Sequence, residues 1–208
     1  MRRLFHIIAT PRQEESRTLK VSGVFLDAFR KKYPDCYIDE LNVMTEELPS
    51  LTVEVVSGKY VLLGGKELVD ELKSAWNPLL RHIERFLLAD YYLISTPMWN
   101  FHIPYPLKQY IDIIIQPKYL FRYATNGIEG LVKNKKMVVI SSRGGDYSPG
   151  TSAQGYDFQE PYLRAVFGFV GIADINFINL QPADMGPELL QKAMEEAMAA
   201  ALKAAECF

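Results

Sequence analysis

Five short apolar runs recur along the chain and alternate with longer stretches in which the apolar residues follow a helical period. The runs lie at residues 4–9, 37–41, 90–96, 136–141 and 174–180. Runs of this length with β-branched and aromatic residues are typical of buried strands. The alternation predicts an α/β fold, in which a five-stranded parallel sheet carries helices on both of its faces.

The stretches between the runs carry apolar residues at helical spacing over residues 19–29, 66–88, 107–114, 162–170 and 187–206. Pro78 is expected to kink or interrupt the second of these helices. The pieces within residues 42–65 fit either a strand or a helix, and the Asn126-Gly127 pair predicts a turn. His6, in the first run, is expected to be an ordinary strand residue, and His82 a surface or packing residue.

The third run is followed by a tip that consists of Met98, Trp99, Asn100, Phe101 and His102. Ligands of open parallel sheets bind at the carboxyl ends of the strands, which is where this tip is expected. The two large rings offer faces for stacking, the thioether a soft contact, and the amide both a donor and an acceptor. The tip suits a flat heteroaromatic ligand, although the same residues could simply pack the edge of the sheet.

The loop after the first run carries the hydroxyls of Thr10, Ser16 and Thr18 near the start of a predicted helix. The amino end of a helix binds anions, and Arg12 or Arg17 could add charge. Neither G-x-G-x-x-G nor G-x-x-x-x-G-K-[ST] occurs here, which disfavours a dinucleotide site or a P-loop. A monophosphate fits this loop, and so does plain helix capping with solvated arginines.

After the fourth run come Ser142, Arg143, Gly144 and Gly145. Paired glycines allow a ligand to approach the backbone closely, although they also occur in ordinary tight turns. If the five strands lie in the order 2-1-3-4-5, the loops after the first, third and fourth runs meet at one edge of the sheet. One loop suits phosphate, one is aromatic and one is glycine-rich, and together they predict a pocket for flavin mononucleotide (FMN).

Composition agrees with one globular domain over residues 1–208, since 49% of the residues are hydrophobic and 23% are charged. A net charge of −2 with scattered lysines and arginines predicts no nucleic-acid partner. No stretch approaches the length of a membrane span, and we expect no membrane partner. Cys36 and Cys207 belong to no motif, which favours a reducing, cytoplasmic location. The three histidines have no metal-ligand spacing, and no metal site is expected.

Four sets of motifs carry a resemblance that extends over nearly the whole chain. They are Pro97-Met98-Trp99-Asn100-Phe101 with Ile103-Pro104 and Leu107-Lys108; Phe121-Arg122-Tyr123 with Gly127 and Gly130-Leu131; Ser142-Arg143-Gly144-Gly145; and Phe167-Gly168-Phe169-Val170-Gly171-Ile172. Together they resemble the FMN-dependent NAD(P)H azoreductases, which are related to the NAD(P)H:quinone reductases. The resemblance implies a flavodoxin-like three-layer αβα sandwich. Two departures stand out, because Trp99 replaces the family's usual Tyr and Thr10 its common Ser.

The resemblance also implies a set of functional residues. The phosphate and ribityl chain of FMN are expected to lie against Thr10, Ser16, Arg17 and Thr18. The isoalloxazine ring is expected to lie against Pro97, Met98, Trp99, Asn100, Phe101, Ser142, Arg143, Gly144 and Gly145. A homodimer with active sites at the interface is implied, with Tyr123 and Phe167 on the substrate side, and Tyr147 is a further substrate candidate.

We predict a ping-pong reaction in which NADH or NADPH reduces the flavin and leaves, and a quinone or azo compound then takes its place. No catalytic side chain is required, because the flavin carries the chemistry. The amides of Gly144 and Gly145, with Asn100, could stabilise negative charge on the reduced ring. His102 and Tyr147 are candidates for polarising the acceptor.

Two other functions compete with this prediction. A non-enzymatic flavodoxin-type electron carrier has the same fold, but a net charge of −2 offers little electrostatic steering toward a protein partner. A phosphodiesterase acting on acyl carrier protein is the second alternative, and no nucleophile or metal set in the sequence supports it.

Overall fold

The computed structural model describes residues 2–125 and 127–208. Its strands are β1 (Arg3–Ile8), β2 (Tyr37–Asn42), β3 (Tyr91–Pro97), β4 (Phe121–Ala124), β5 (Gly127–Gly130), β6 (Lys136–Ser142) and β7 (Asp174–Leu180). Five of them form a parallel sheet in the order β2-β1-β3-β6-β7. The predicted five-stranded parallel sheet is confirmed, and its strands correspond to the five apolar runs in the order 2-1-3-4-5.

The helices are α1 (Arg17–Lys32), α2 (Val53–Leu63), α3 (Asp70–Leu87), α4 (Tyr105–Ile114), α5 (Gln159–Phe169) and α6 (Pro187–Cys207). The pieces within residues 42–65, which fitted either a strand or a helix, form the helix α2. This helix begins after Thr52, and the Thr52 side chain accepts a hydrogen bond from the amide of Val55. Pro78 does not interrupt α3, because Trp76 and Leu79 on either side of it are fully buried in the core. Within the described ranges, none of these helices has the length and apolar character needed to cross a bilayer.

The hairpin of β4 and β5 lies outside the main sheet and was not predicted, because strands of four residues are too short to show a clear alternation. Asn126, half of the predicted turn, lies outside the described residues. Gly130 of the hairpin rests directly on the end of α5, since a Cβ there would lie only 2.3 Å from the backbone carbon of Val170. The hairpin is therefore anchored to the helix that follows the fourth run.

Alternate side chains of each central strand enter two separate cores. Phe5 of β1 points toward α3, where its ring centroid lies 6.4 Å from that of Phe86. Its neighbour Leu4 points to the opposite face and packs with Phe25 of α1 in the second core. A strand has a side-chain period of two, so both faces of this sheet are apolar and both are covered by helices.

A partly buried ion-pair cluster joins β2 to β1 and α3 at the edge of the sheet. The Asp39 carboxylate accepts hydrogen bonds from Arg85, at 2.9 Å from Nε and 2.8 Å from Nη2, and a further one from Arg3. Burial by itself would raise the pKa of Asp39, but the two arginines hold the pKa below its ordinary value. The folded state therefore favours the ionised carboxylate.

Asp39→Asn is expected to lower the free energy of unfolding by about 2 kcal/mol at pH 7, a typical contribution for hydrogen bonds to a charged group. Because the folded pKa lies below the unfolded value of about 3.9, this stabilisation is complete above that pH and is lost as the pH falls through the folded value. Urea unfolding at pH 7 and near pH 2.5 tests this. A deficit of equal size at both pH values would contradict it, and Asp27→Asn on the surface serves as the control.

Candidate cofactor-binding site

Loops that leave the carboxyl ends of β1, β3, β6 and β7 surround a cavity of about 200 Å³. The residues that line it are Thr10, Pro11, Arg12, Ser16, Arg17, Pro97, Met98, Trp99, Ser142, Arg143, Gly144, Ala183 and Asp184. Most of the residues expected to bind the cofactor therefore lie around one cavity, at the edge where parallel sheets bind their ligands.

The amino end of α1 presents hydroxyl and amide groups at one end of this cavity. Ser16 caps the helix by accepting a hydrogen bond from the amide of Leu19 at 3.3 Å, and Thr10 donates to the Ser16 hydroxyl at 3.2 Å. Thr18 donates to the Ser142 hydroxyl at 3.0 Å and so connects the first loop to the glycine loop. The amides of Arg17 and Thr18 lie in the first turn, where they have no intrahelical acceptor and are available to an anion.

Arg17 joins the cavity to a loop that was not predicted to take part. Its Nη1 donates to Asp184 Oδ1 at 2.7 Å and to the Ala183 carbonyl at 2.9 Å. A Cβ at Gly144 would lie 2.8 Å from Asp184 Oδ2, so the glycine permits this close contact. Asp184 and Ala183 follow the fifth strand, whose carboxyl end emerges at the same edge, and that position was the signal that could have identified them.

The aromatic tip after β3 is a tight turn of two residues. Trp99 and His102 exchange backbone hydrogen bonds of 2.8 and 2.9 Å, while Asn100 and Phe101 have φ angles of 46° and 69°. Positive φ is uncommon for residues other than glycine and costs free energy for a bulky side chain. Asn100 and Phe101 are exposed and do not line the cavity itself, but the turn places them next to Trp99, which does.

Arg143, one of the residues expected to bind the cofactor, does line the cavity, but its guanidinium is held by partners within the protein. The guanidinium is buried. Its Nη1 donates to Asp157 Oδ2 at 2.8 Å. Its Nε donates to Ser141 Oγ at 3.0 Å and to Gln159 Oε1 at 3.2 Å. Burial lowers the pKa of Arg143, and the nearby carboxylates of Asp157 and Glu160 oppose that shift. Arg143 is therefore part of the cavity wall, while its side chain anchors the loop to Asp157 and Gln159.

The start of α5 supports the aromatic turn from behind. Gln159 is fully buried, and its Nε2 donates to the Pro97 carbonyl at 2.8 Å. The amide of Phe158 donates to the Phe101 carbonyl at 3.1 Å. Neither contact could be predicted from the sequence, because no local pattern shows which element supports a turn distant from it in the chain.

The three expected substrate residues lie in different places. Tyr147 is at the mouth, with its ring centroid 6.4 Å from that of Phe101 and its ring 3.5 Å from where a Cβ on Gly145 would be. Tyr123 is exposed on β4 and packs on Phe121, away from the residues that line the cavity. The expectation for Phe167 is wrong, because this side chain is fully buried in the core. The apolar side of α5 that carries it faces the sheet.

The two histidines outside the first strand do not line the cavity. His102 packs against Tyr162 with ring centroids 4.7 Å apart, and burial lowers its pKa. His82 is a packing residue, as expected, with its ring edge-on to Tyr110 at 5.9 Å. The role of His102 in polarising an acceptor stays a prediction.

The donor set fits a flavin mononucleotide. Amides and hydroxyls at the start of α1 are suited to a phosphate, and the cavity continues past Ser142 and Gly144 to the aromatic turn. Its volume of about 200 Å³ is below the range of about 300–1,000 Å³ that usually encloses a whole ligand. The cavity therefore suits the phosphate and sugar-alcohol chain, with the flat ring at the mouth beside Trp99 and the Gly144 backbone.

Comparison with known proteins agrees with this geometry. A family profile described as "Flavodoxin-like fold" matches residues 2–205. The chain is 38% identical over 199 residues, or 95% of each chain, to the FMN-dependent NADH:quinone oxidoreductase of Nitratidesulfovibrio vulgaris strain DP4. An azoreductase structure from Bacillus anthracis strain Sterne matches with a TM-score of 0.90 and 27% identity, over 100% of both chains.

A second solved structure adds the ligand. The FMN-dependent NADH-azoreductase of Bacillus anthracis strain Ames Ancestor, in complex with FMN, matches with a TM-score of 0.84 and 29% identity. The match covers 99% of this chain and 100% of the other. By the extent of the profile match and the identity to its relatives, the chain belongs to the flavodoxin-like fold family that includes the FMN-dependent NADH:quinone oxidoreductases and azoreductases.

Proposed function

We propose that this protein is an FMN-dependent NADH:quinone oxidoreductase that also reduces azo compounds. The observation that carries the proposal is one continuous cavity, which joins the hydroxyl-lined start of α1 to the glycine loop and the aromatic turn. Relatives of similar length, at 34–38% identity, are named for NADH and quinone, and solved neighbours are named azoreductases. These names favour NADH as the electron donor.

Bound FMN supplies two-electron redox chemistry, and the protein provides binding and orientation. Thr10, Ser16 and Thr18, with the first amides of α1, bind the phosphate. The amides of Gly144 and Gly145 are backbone donors for the ring. Trp99 and Tyr147 frame the mouth, where NADH and the acceptor bind in turn, and no side chain of the cavity is needed as an acid or base.

The purified holoprotein is expected to oxidise NADH steadily with a naphthoquinone, and to bleach an azo dye in the same way. Because both substrates use one mouth, double-reciprocal plots at several quinone concentrations should be parallel. Flavin released on denaturation should have the mass of FMN. A protein that binds FMN and exchanges electrons with a protein partner, yet fails to turn over NADH with any quinone, would instead be an electron carrier.

We also propose that the protein acts as a homodimer. Val53 and Tyr60 of α2 and Tyr123 and Ile128 of the hairpin are large hydrophobic side chains exposed at the surface. Contiguous apolar patches are characteristic of association sites, and these side chains are candidates to form one. Sedimentation equilibrium at micromolar concentration should give twice the chain mass of 23.7 kDa, and a single-chain mass would contradict the proposal.

We place the enzyme in the cytoplasm. Cys36 and Cys207 are free thiols in the structure, as is usual for proteins of a reducing compartment. Cell fractionation with a compartment marker tests this placement, and recovery outside the cytoplasmic fraction would contradict it.

A further inference from the structure

A chain of buried polar side chains crosses the face of the sheet beneath α1, where the surrounding residues are apolar. His6 of β1 lies with Nε2 at 2.7 Å from the hydroxyl of Ser95 of β3. That hydroxyl lies 2.7 Å from the hydroxyl of Ser22 of α1, and all three residues are buried. The other ring nitrogen of His6, Nδ1, lies 3.2 Å from Oε1 of Glu40, a side chain that reaches solvent.

This row of buried polar side chains ends at the residues that form the cofactor cavity. The Ser22 hydroxyl lies within donating distance, 2.9 Å, of the Thr18 carbonyl in the first turn of α1. The Thr18 hydroxyl in turn donates to Ser142 Oγ, which lines the cavity. A line of hydrogen bonds thus connects a solvent-exposed carboxylate to the turn that presents amides and hydroxyls to a phosphate.

The hydrogen bonds of this line can be donated in either of two directions, depending on the protons that His6 carries. Each serine hydroxyl has a single proton to donate, and Glu40, when ionised, can only accept. With His6 protonated, Nδ1 donates to Glu40 and Nε2 donates to Ser95. Ser95 then donates to Ser22, whose own proton is directed at the Thr18 carbonyl.

With His6 neutral and Glu40 ionised, the remaining imidazole proton is held on Nδ1 by the carboxylate. Nε2 must then accept a proton from Ser95, and Ser95 in turn accepts from Ser22. The Ser22 hydroxyl is withdrawn from the Thr18 carbonyl. Loss of one proton at His6 therefore reverses the His6–Ser95 and Ser95–Ser22 hydrogen bonds and removes the one from Ser22 to the Thr18 carbonyl, while Nδ1 donates to Glu40 in both states.

The charged groups that face His6 act in opposite senses. Glu40 of β2 favours the imidazolium, whereas Arg30 of α1 disfavours it. Arg30 itself pairs with Asp27, at 3.4 Å from Nη1 to Oδ1. Burial is the largest influence and lowers the pKa of His6 below its ordinary value of about 6.5. In the protein without ligand, His6 is therefore expected to take up its proton below that pH.

We propose that His6, Ser95 and Ser22 are positioning residues that couple the protonation of His6 to anion binding at the first turn of α1. The inference rests on the proposed function only where it identifies the anion as the phosphate of FMN. The imidazolium adds positive charge behind the turn, and its hydrogen bonds direct the Ser22 proton to the Thr18 carbonyl. Both effects favour a bound anion, and by linkage a bound anion must favour the imidazolium by the same factor.

The test follows the histidine side chains of ¹⁵N-histidine-labelled protein by NMR over about pH 4.5–8, first without ligand and then with saturating FMN or saturating inorganic phosphate. His6→Gln assigns the signal. FMN is expected to shift the proton affinity of His6 upward at least about fivefold, the low end of typical coupling between sites. His82, which is also buried but lies on α3, provides a control in the same spectra and is expected not to shift.

Ser22→Ala breaks the line without touching His6 and is expected to reduce the shift to what the imidazolium charge alone contributes, while His6 still titrates. Ser95→Ala serves the same purpose if the first variant does not fold. The FMN dissociation constant, measured by fluorescence quenching, should fall further between pH 7.5 and 5.5 in the wild type than in Ser22→Ala. Ionisation of the FMN phosphate itself affects both proteins alike.

Failure of the coupling and failure of the proposed function give different results. If FMN binds but leaves the His6 titration where it was, or if Ser22→Ala shifts as the wild type does, the coupling is overturned and the proposed function stands. If FMN does not bind and inorganic phosphate shifts His6, the coupling stands and the proposed cofactor falls. If neither ligand shifts His6, the coupling is overturned.

Discussion

Thr18→Asp is expected to raise the dissociation constant for FMN about a thousandfold relative to Thr18→Asn. The Thr18 side chain is buried in the first turn of α1 and donates to Ser142 at the cavity. A carboxylate there would lie close to the phosphate. Two like charges 4 Å apart repel by about 4 kcal/mol at the effective dielectric constant typical of such sites, which corresponds to about three powers of ten.

Asparagine has the shape of aspartate without its charge, so both variants share any cost of fitting the larger side chain. Thr18→Asn itself loses one hydrogen bond and is expected to weaken FMN binding no more than about tenfold. Titration of the protein without flavin by FMN fluorescence gives both constants, and thermal unfolding checks that both variants fold. Equal affinities in the two variants would mean that the phosphate binds elsewhere.

Asp157→Asn is expected to lower the free energy of unfolding by about 3–5 kcal/mol, the usual effect of removing one partner from a buried ion pair. The Arg143 side chain has only 1% of its surface exposed, and Asp157 at 2.8 Å is its nearest carboxylate. Glu160 lies at 3.8 Å and also pairs with Arg164. Without Asp157, the guanidinium charge is therefore buried with little compensation.

Urea unfolding at pH 7 without flavin measures this loss, since bound flavin would add stability of its own. The double variant Arg143→Met with Asp157→Asn removes both charges and is expected to recover much of the lost stability. Asp70→Asn, on an exposed pair with Lys73, should leave the midpoint unchanged. A single variant as stable as the wild type would show that Arg143 does not depend on this partner.

The local patterns of the chain predicted the architecture well. The five runs, the start of α6 at Pro187 and the hydroxyl-rich start of α1 all depend on residues adjacent in sequence. They depend on short apolar runs that fit strands covered on both faces and on the preference of helix ends for hydroxyls and proline. These are properties of single elements, and the short runs show them clearly.

The positions of other side chains depended on which helix or loop packs against their own element. Arg143 follows Ser142 in a run that suggested ligand binding, yet its guanidinium points into the protein because Asp157 and Gln159 lie there. Phe167 and Phe169 both lie in one of the motifs that carry the resemblance, but only the first is fully buried. Neither outcome follows from neighbours in the sequence.

The sequence by itself determined the class of fold and the three loops that were candidates for one ligand, whereas the structure established the order of the strands. The tertiary structure alone decided that the loop after the fifth strand joins them through Asp184, and that Arg143 acts as an anchor. It also decided that His6 connects Glu40 to α1. The physical reason is that a periodic pattern specifies which way a side chain points within its own element, whereas its partner belongs to an element distant in the chain.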